Sequence, residues 1–264
     1  MHPYFIFMGH RMPSYGLMIT LAAVVGIGLS LLLAKQRKYP LDDQLFAALY
    51  ALAGVLVGGS MLCTITVLPD ILNHADVIFA NFKNVVTLFP FGIVFYGGLI
   101  GGIIGGLLYF RRFKANAAQI LECATPAIPL AHAIGRIGCF LAGCCYGHST
   151  DAFWGIVYPP ESLSAPSGIP LVPVPLLEAA LNVCICIGLF FYIWKKPRRG
   201  LRAFGGYLIA YAIGRFALEY LRGDLVRGFL LGISTSQLVS LLLLPVGLLL
   251  IFPNPIMPRE REKP

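Results

Sequence analysis

The stretch AAQILECATPAIPLAHAIGRIGCFLAGCCYG, residues 117–147, decides the fold class. Up to residue 138 it reads as a helix long and apolar enough to cross a hydrocarbon core about 30 Å thick. Arg136 stands near its end, with Cys139, Cys144 and Cys145 crowded behind it. An ionisable side chain at such a position is expensive, so Arg136 is a candidate functional residue.

Working outward, 58% of the 264 residues are hydrophobic, only 12% are charged, and the mean hydropathy is +0.79. That exceeds what a soluble domain of this length needs to fill a core. Seven windows satisfy the length rule for a spanning helix: 15–34, 45–67, 92–110, 117–138, 176–194, 203–221 and 233–252. The expected fold class is therefore an all-α polytopic membrane protein, one integral membrane domain over residues 1–264.

Fourteen of the twenty Lys and Arg fall in the loops 35–38, 111–114 and 195–202 and in the tail after the last span. The opposite side holds only Arg11, Lys83, Arg222 and Arg227, while Arg136 and Arg215 lie within spans. By the positive-inside rule the N-terminus faces outward and the C-terminus is cytoplasmic. The net charge of +8 thus describes topology and implies no nucleic-acid partner. The opening segment MHPYFIFMGHRMPSYG lacks the basic start, short apolar core and small-residue cleavage site of a removable signal, so the first span is expected to be retained. The segment 143–175 is Pro-rich and reads as an ordered outer loop. GGLIGGIIGG at 97–106 spaces small residues four apart, a pattern for close helix packing.

This topology sorts polar residues by depth. Tyr15, Tyr96, Arg136, Glu178, Arg215, Glu219, Arg222 and Gln237 all fall toward the outer half of their spans, as if lining one outer cavity. Arg215 and Glu219 are four apart and Glu219 and Arg222 three apart, which suits an Arg-Glu-Arg ladder on one helix face. A carboxylate there lowers the cost of keeping guanidinium groups in low dielectric, and a guanidinium fork suits a phosphate. The plainer reading is that the ladder only pins helices together. For Arg136 the alternatives are snorkelling to headgroups and binding a lipid phosphate. Gly135 and Gly138 favour the second by letting a ligand approach.

Cys139 and Cys144 can pair as a disulfide if the helix ends between them, or remain buried thiols. Thiolates beside His148 would suit zinc or copper, but C-x4-C-C matches no metal signature, so no metal is expected. Cys63, Cys123, Cys184 and Cys186 read as small apolar packing residues. His132, four before Arg136, reads as its hydrogen-bonded helix partner, and Glu122 as one half of a pair with a neighbouring helix.

GRIG with F and then G following (135–143), downstream of Pro126, Pro129 and Leu130, resembles the signature region of the prolipoprotein diacylglyceryl transferase family. Tyr15-Gly16 resembles its first-helix Tyr-Gly, and FYGGLIGG (95–102) occupies the place of its His-Gly-Gly segment. Pro173 to Glu178, YAIGRFALEYLRGD (211–224) and Gln237-Leu238 resemble later landmarks in order. The resemblance covers nearly the whole chain.

It implies transfer of the diacylglyceryl group from phosphatidylglycerol to the cysteine thiol of a prolipoprotein signal peptide, with glycerol phosphate released and no cofactor. It implies a bacterial plasma (inner) membrane enzyme, multi-pass, whose partners are phosphatidylglycerol, prolipoprotein signal peptides and the lipid bilayer. Carried over by position, Arg136, Arg215, Glu219 and Tyr96 form the catalytic set. Arg136, Tyr15, Gly138, Gly143, Glu178, Arg222 and Gln237 bind phosphatidylglycerol. Arg136 would hold the headgroup, Arg215 would neutralise the leaving phosphate and Glu219 would orient Arg215.

The chain departs from the family pattern at Cys139, Ala142 and Cys144, where asparagines and a glutamate are usual, at Tyr96, in the place of a histidine, and at Val172. A tyrosine ionising near pH 10 is a poor base at pH 7. Either Tyr96 only binds, or His148 or Glu219 assists, or the acceptor thiol ionises with little help. A different thiol acceptor, a thiol-redox protein using the outer cysteines, and a lipid-binding or transporter-like protein are the alternatives.

Overall fold

The computed structural model describes residues 3–7, 9–73, 94–195, 200–224, 229–230 and 232–252. Lys83, Lys196, Arg198, Arg199, Arg227, Arg259, Arg261 and Lys263, which entered the charge argument, lie outside the described residues.

Among the described residues there are seven helices: α1 (Ser14–Arg37), α2 (Leu41–Asn73), α3 (Phe95–Phe113), α4 (Ala117–Ala142), α5 (Val174–Lys195), α6 (Gly200–Glu219) and α7 (Thr235–Ile251). Each coincides with one of the seven sequence windows. Three of them, Ser14–Arg37, Leu41–Pro69 and Val174–Lys195, are long and apolar enough to cross a membrane. Most of that surface stays outward: in the most apolar stretch of Leu41–Pro69 only 6% of residues are buried. Water does not tolerate such a face, whereas lipid does.

The chain divides into two compact units, Lys38–Ala117 and the remainder. In the smaller one, α2 and α3 meet along glycines four apart. A Cβ on Gly54 would run into the Gly101 carbonyl, one on Gly58 into the Gly97 carbonyl, and one on Gly105 into the Tyr50 carbonyl. The spacing read from the sequence is thus a backbone-to-backbone seam. At one end Tyr109 donates to Asp43 at 2.8 Å, and its ring meets Tyr50 edge-on with centroids 5.3 Å apart.

The larger unit contains α1 and α4 to α7. A hairpin of β1 (Tyr4–Phe7) and β2 (His10–Pro13) leads directly into α1. Pro126 and Pro129 sit inside α4 and are buried. Leu189, Ile193, Ala203, Tyr207 and Leu208 form the core between α5 and α6. Gly205 and Gly247 bring α6 and α7 together. Arg37 reaches Glu122 at 3.5 Å and donates to the Ile193 carbonyl at 2.8 Å, which supplies the partner that Glu122 required.

Beyond α4, the segment 143–173 carries the short pair β3 (Ile156–Val157) and β4 (Pro170–Leu171). Tyr158, Ala165 and Leu171 form its small core, with Phe140 and Tyr146 packed against them. Burial pushes the Tyr158 hydroxyl up to about 12. A second pair, β5 (Phe229–Leu230) and β6 (Ile233–Ser234), precedes α7.

The main difference from the sequence reading is the end of α6. It closes at Glu219 rather than 221, tightening into Tyr220 N to Ala217 O, Leu221 N to Leu218 O and Arg222 N to Glu219 O bonds. The chain then runs beside 146–148: His148 N donates to Leu221 O at 3.0 Å and Gly223 N to Tyr146 O at 3.2 Å. On the other side Gly147 N donates to Val172 O at 2.9 Å and Val172 N to His148 O at 3.1 Å. Three backbones meet at Gly147, where a Cβ would lie 2.6 Å from both Leu221 O and the Val172 Cβ.

Candidate active site

Glu178 is the centre of the site. It lies in the second turn of α5 and is fully buried at 0% exposure. Arg136 Nη2 of α4 contacts its Oε1 at 2.9 Å, and Arg215 Nη1 of α6 lies 3.8 Å from its Oε2. The Tyr211 hydroxyl donates to Oε1 at 3.2 Å. One turn further along α5, the buried Asn182 donates its amide to the Glu178 carbonyl at 2.8 Å.

Spacing produces this convergence. Tyr207, Tyr211, Arg215 and Glu219 recur every four residues and share one face of α6, as His132 and Arg136 do on α4 and Glu178 and Asn182 on α5. Arg136 Nε donates to His132 Nε2 at 3.2 Å, so that ring nitrogen is an acceptor and carries no proton. The His132 ring also leans on Tyr211, with centroids 5.2 Å apart.

Arg215 is held from a second side. Its Nη2 contacts Glu219 Oε2 at 2.9 Å and donates to Ser236 Oγ of α7 at 2.9 Å. Its Nη1 is buried and has no hydrogen-bond partner among the described residues, nor has Glu178 Oε2. A guanidinium hydrogen-bonded at one nitrogen and held at the other only by a long ion pair has donor capacity for an anionic oxygen. With two carboxylates between them, the two arginines sit in low dielectric as a neutral set rather than as repelling cations.

The expected Arg-Glu-Arg ladder holds for its first rung and changes at its second. Arg222 lies beyond the end of α6, off the helix face, and forks onto Asp224 through Nε at 3.2 Å and Nη2 at 2.8 Å. Tyr15, 45% exposed on the first turn of α1, sits over Gly138, where an added Cβ would lie 2.9 Å from Met18 and 3.5 Å from the Tyr15 ring. Gly143 ends α4 at φ 71° with Ser162 closing over it. Close packing at Gly138 and a left-handed turn at Gly143 are the immediate demands on these two glycines. Gln237 commits its side-chain oxygen to a capping box, accepting from Ser234 N while its own backbone N–H donates to Ser234 Oγ, each at 3.2 Å. Tyr96 belongs to the smaller unit, where its ring meets Phe95 with centroids 5.6 Å apart. His148 is exposed and its Nδ1 lies 2.9 Å from the Ser149 carbonyl.

The sequence reading missed Tyr211, Ser236 and Asn182, and treated His132 as a helix partner only. The four-residue recurrence 207-211-215-219 was the available signal for Tyr211. Nothing in the sequence announces Ser236, because only the packing of α7 on α6 brings it to Arg215.

Cys139, Cys144 and Cys145 are free thiols whose sulfurs all lie within 4.8 Å of one another. Hydrogen bonds from the Cys139 and Cys144 thiols, with Arg222 and Arg136 adding positive potential, hold the Cys145 thiol well below the usual thiol range.

The model of the family "Prolipoprotein diacylglyceryl transferase" matches residues 3–253. The chain is 37% identical over 254 residues to phosphatidylglycerol–prolipoprotein diacylglyceryl transferase 2 of Clostridium perfringens, covering 96% of this chain and 94% of that protein. It is 33% identical over 244 residues to the enzyme of that activity from Clostridium tetani, covering 92% and 94%, and 30% identical over 253 residues to that of Pseudomonas putida, covering 90% and 88%. This chain therefore belongs to the prolipoprotein diacylglyceryl transferase family.

Proposed function

We propose that this protein transfers the diacylglyceryl group of phosphatidylglycerol to the thiol of the lipobox cysteine in prolipoprotein signal peptides. The acceptor sulfur attacks the glycerol carbon that bears the phosphate ester. A C–S bond forms, the C–O bond breaks, and its electron pair leaves on glycerol phosphate. The chemistry requires a phosphate to be held and its growing negative charge to be met.

The single observation that carries this reading is the pair Arg136 and Arg215 on one buried carboxylate, with Arg215 Nη1 held only by a 3.8 Å ion pair and making no hydrogen bond among the described residues. Arg136 holds the headgroup phosphate, Arg215 receives the charge of the leaving group, Glu178 sets the separation of the two, and Glu219 orients Arg215. Tyr15, at the exposed outer end of α1, lines the headgroup approach, and Arg222 with Gly138 and Gly143 shapes its rim. Gln237 retains an amide NH2 for the lipid beside its capping role. Tyr96 takes a lipid-binding role rather than that of base.

The surroundings follow from the charge asymmetry. All seven helices cross the bacterial plasma membrane, with the N-terminus and the segment 143–173 outside and the C-terminus cytoplasmic. Wild-type protein in phosphatidylglycerol bilayers, incubated with a single-cysteine lipobox peptide, is expected to add one diacylglyceryl mass to that cysteine, and Arg215→Ala to remove the product. Absence of the adduct with wild type, or an undiminished adduct with the variant, would overturn the reading.

A further inference from the structure

We propose that Cys139, Cys144 and Cys145 bind a zinc ion whose open fourth position takes the acceptor thiol. This rests on the transfer reaction above and names how its nucleophile is generated.

In a continued helix, residues 139 and 144 would point about 140° apart, at roughly 100° per residue. The helix instead ends. Gly143 at φ 71° and Cys145 at φ 60° reverse the chain, and Cys144 N donates back to the Cys139 carbonyl at 3.1 Å. The two following thiols are thereby folded over the first, and the three sulfurs lie within 4.8 Å of one another. This is why a spacing that matches no metal signature nevertheless yields a cluster. Tetrahedral zinc with bonds of about 2.3 Å holds its sulfurs about 3.8 Å apart. The observed separations of up to 4.8 Å close to that by side-chain rotation.

Among the described residues no fourth His, Cys, Asp or Glu joins the three. Three protein ligands with a vacant position are the arrangement of a reactive zinc site, not a purely structural one. The charge also fits. Three thiolates with Zn²⁺ sum to −1, a fourth thiolate makes −2, and Arg136 and Arg222 both act electrostatically on Cys145. Arg222 is kept there by the backbone ladder joining 146–148 to 221–223.

Such a device generates the thiolate without drawing on the groups around the arginines. Glu178 is shared between two guanidinium groups, Glu219 faces Arg215, and His132 Nε2 already accepts from Arg136. A thiol bound to zinc ionises outright. In the proposed step the acceptor thiol replaces a zinc-bound water and its proton leaves to solvent. The sulfur lone pair then forms the C–S bond as the C–O pair departs on glycerol phosphate. No atom changes oxidation state, and the thioether, a weak ligand, vacates the metal.

The test is metal analysis of the purified full-length protein, with Co²⁺ exchanged for zinc. One zinc per chain is expected, and loss of it in Cys144→Ser and in Cys145→Ser. The cobalt protein is expected to show a thiolate-to-metal band that changes on adding the lipobox peptide and not its Cys→Ser form. Stripping the wild type with chelator is expected to slow transfer roughly 30-fold at pH 7, the gain from ionising a thiol of pKa about 8.5, with recovery on adding Zn²⁺. This chelator arm does not depend on the variants folding. Absence of bound metal, a disulfide among the three cysteines, or a cobalt band indifferent to the peptide would each overturn the proposal. Full transfer by metal-free protein would sink the zinc site and leave the transferase. A peptide-responsive cobalt band without transfer would sink the transferase reading and leave the metal site.

Discussion

Arg136 and Arg215 touch the same carboxylate from different helices, yet they are not equivalent. Arg136 uses Nε on His132 and Nη2 on Glu178, so its attachment suits a resting headgroup. Arg215 Nη1 makes no hydrogen bond among the described residues, only a 3.8 Å ion pair to Glu178, and so has a donor to give to charge that grows during reaction. Arg215→Ala is therefore expected to lower kcat by about 100- to 1,000-fold with little change in KM, the scale seen when one preorganised donor to a developing anion is removed. Arg136→Ala is expected to act mainly by raising KM for phosphatidylglycerol. Steady-state kinetics in mixed micelles separates the two, and identical effects on both parameters would refute the division of labour. Glu178→Gln leaves two buried guanidinium groups without their shared countercharge. It is expected to cost about 3–5 kcal/mol, read as a lowered melting temperature in detergent. Of these residues, sequence alone picked out Arg136, Arg215 and Glu219 because charges stand out in apolar stretches, and Glu178 because Pro173 to Glu178 resembles a family landmark. The contact of both arginines with Glu178 joins residues 136, 178 and 215, and no periodicity reports so distant a pairing.

At the level of elements, glycine spacing does two different jobs. In the seam between α2 and α3 it removes side chains so that two backbones can touch. Gly101→Leu is expected to cost about 1–3 kcal/mol or more through overpacking against Gly54 and Gly58, whereas Gly106→Leu, with nothing within 4 Å of its Cβ position, is expected to be neutral. Thermal unfolding of the two variants checks this, and equal stability would refute the seam. At Gly143 and Gly147 the glycines end a helix and let three backbones cross. The first job was legible from the repeat GGLIGGIIGG. The second was not, since a glycine in a Pro-rich loop gives no clue to which backbone approaches it. The same limit applies to the end of α6: the apolar window ran to Leu221 and the three-residue spacing to Arg222, and only the competing pairing with 146–148 draws the chain off the helix.

For the whole molecule, the uneven distribution of Lys and Arg predicts sidedness. An epitope inserted after Ser167 is expected to stain in intact spheroplasts, and one at the C-terminus only after permeabilisation. Staining of both from the same side would refute an odd number of spans. Composition, the length of the apolar windows and the order of motifs determined by themselves the class of protein, the positions of its helices and its family. These are properties of single segments, set by how many apolar residues a helix carries and what a bilayer accepts. Only the tertiary structure decided that Glu178 ties Arg136 to Arg215, that Arg222 turns to Asp224, and that three cysteines with no recognisable spacing share one point. Those outcomes depend on where helices end and which faces meet, and that is settled by packing between segments far apart in the chain.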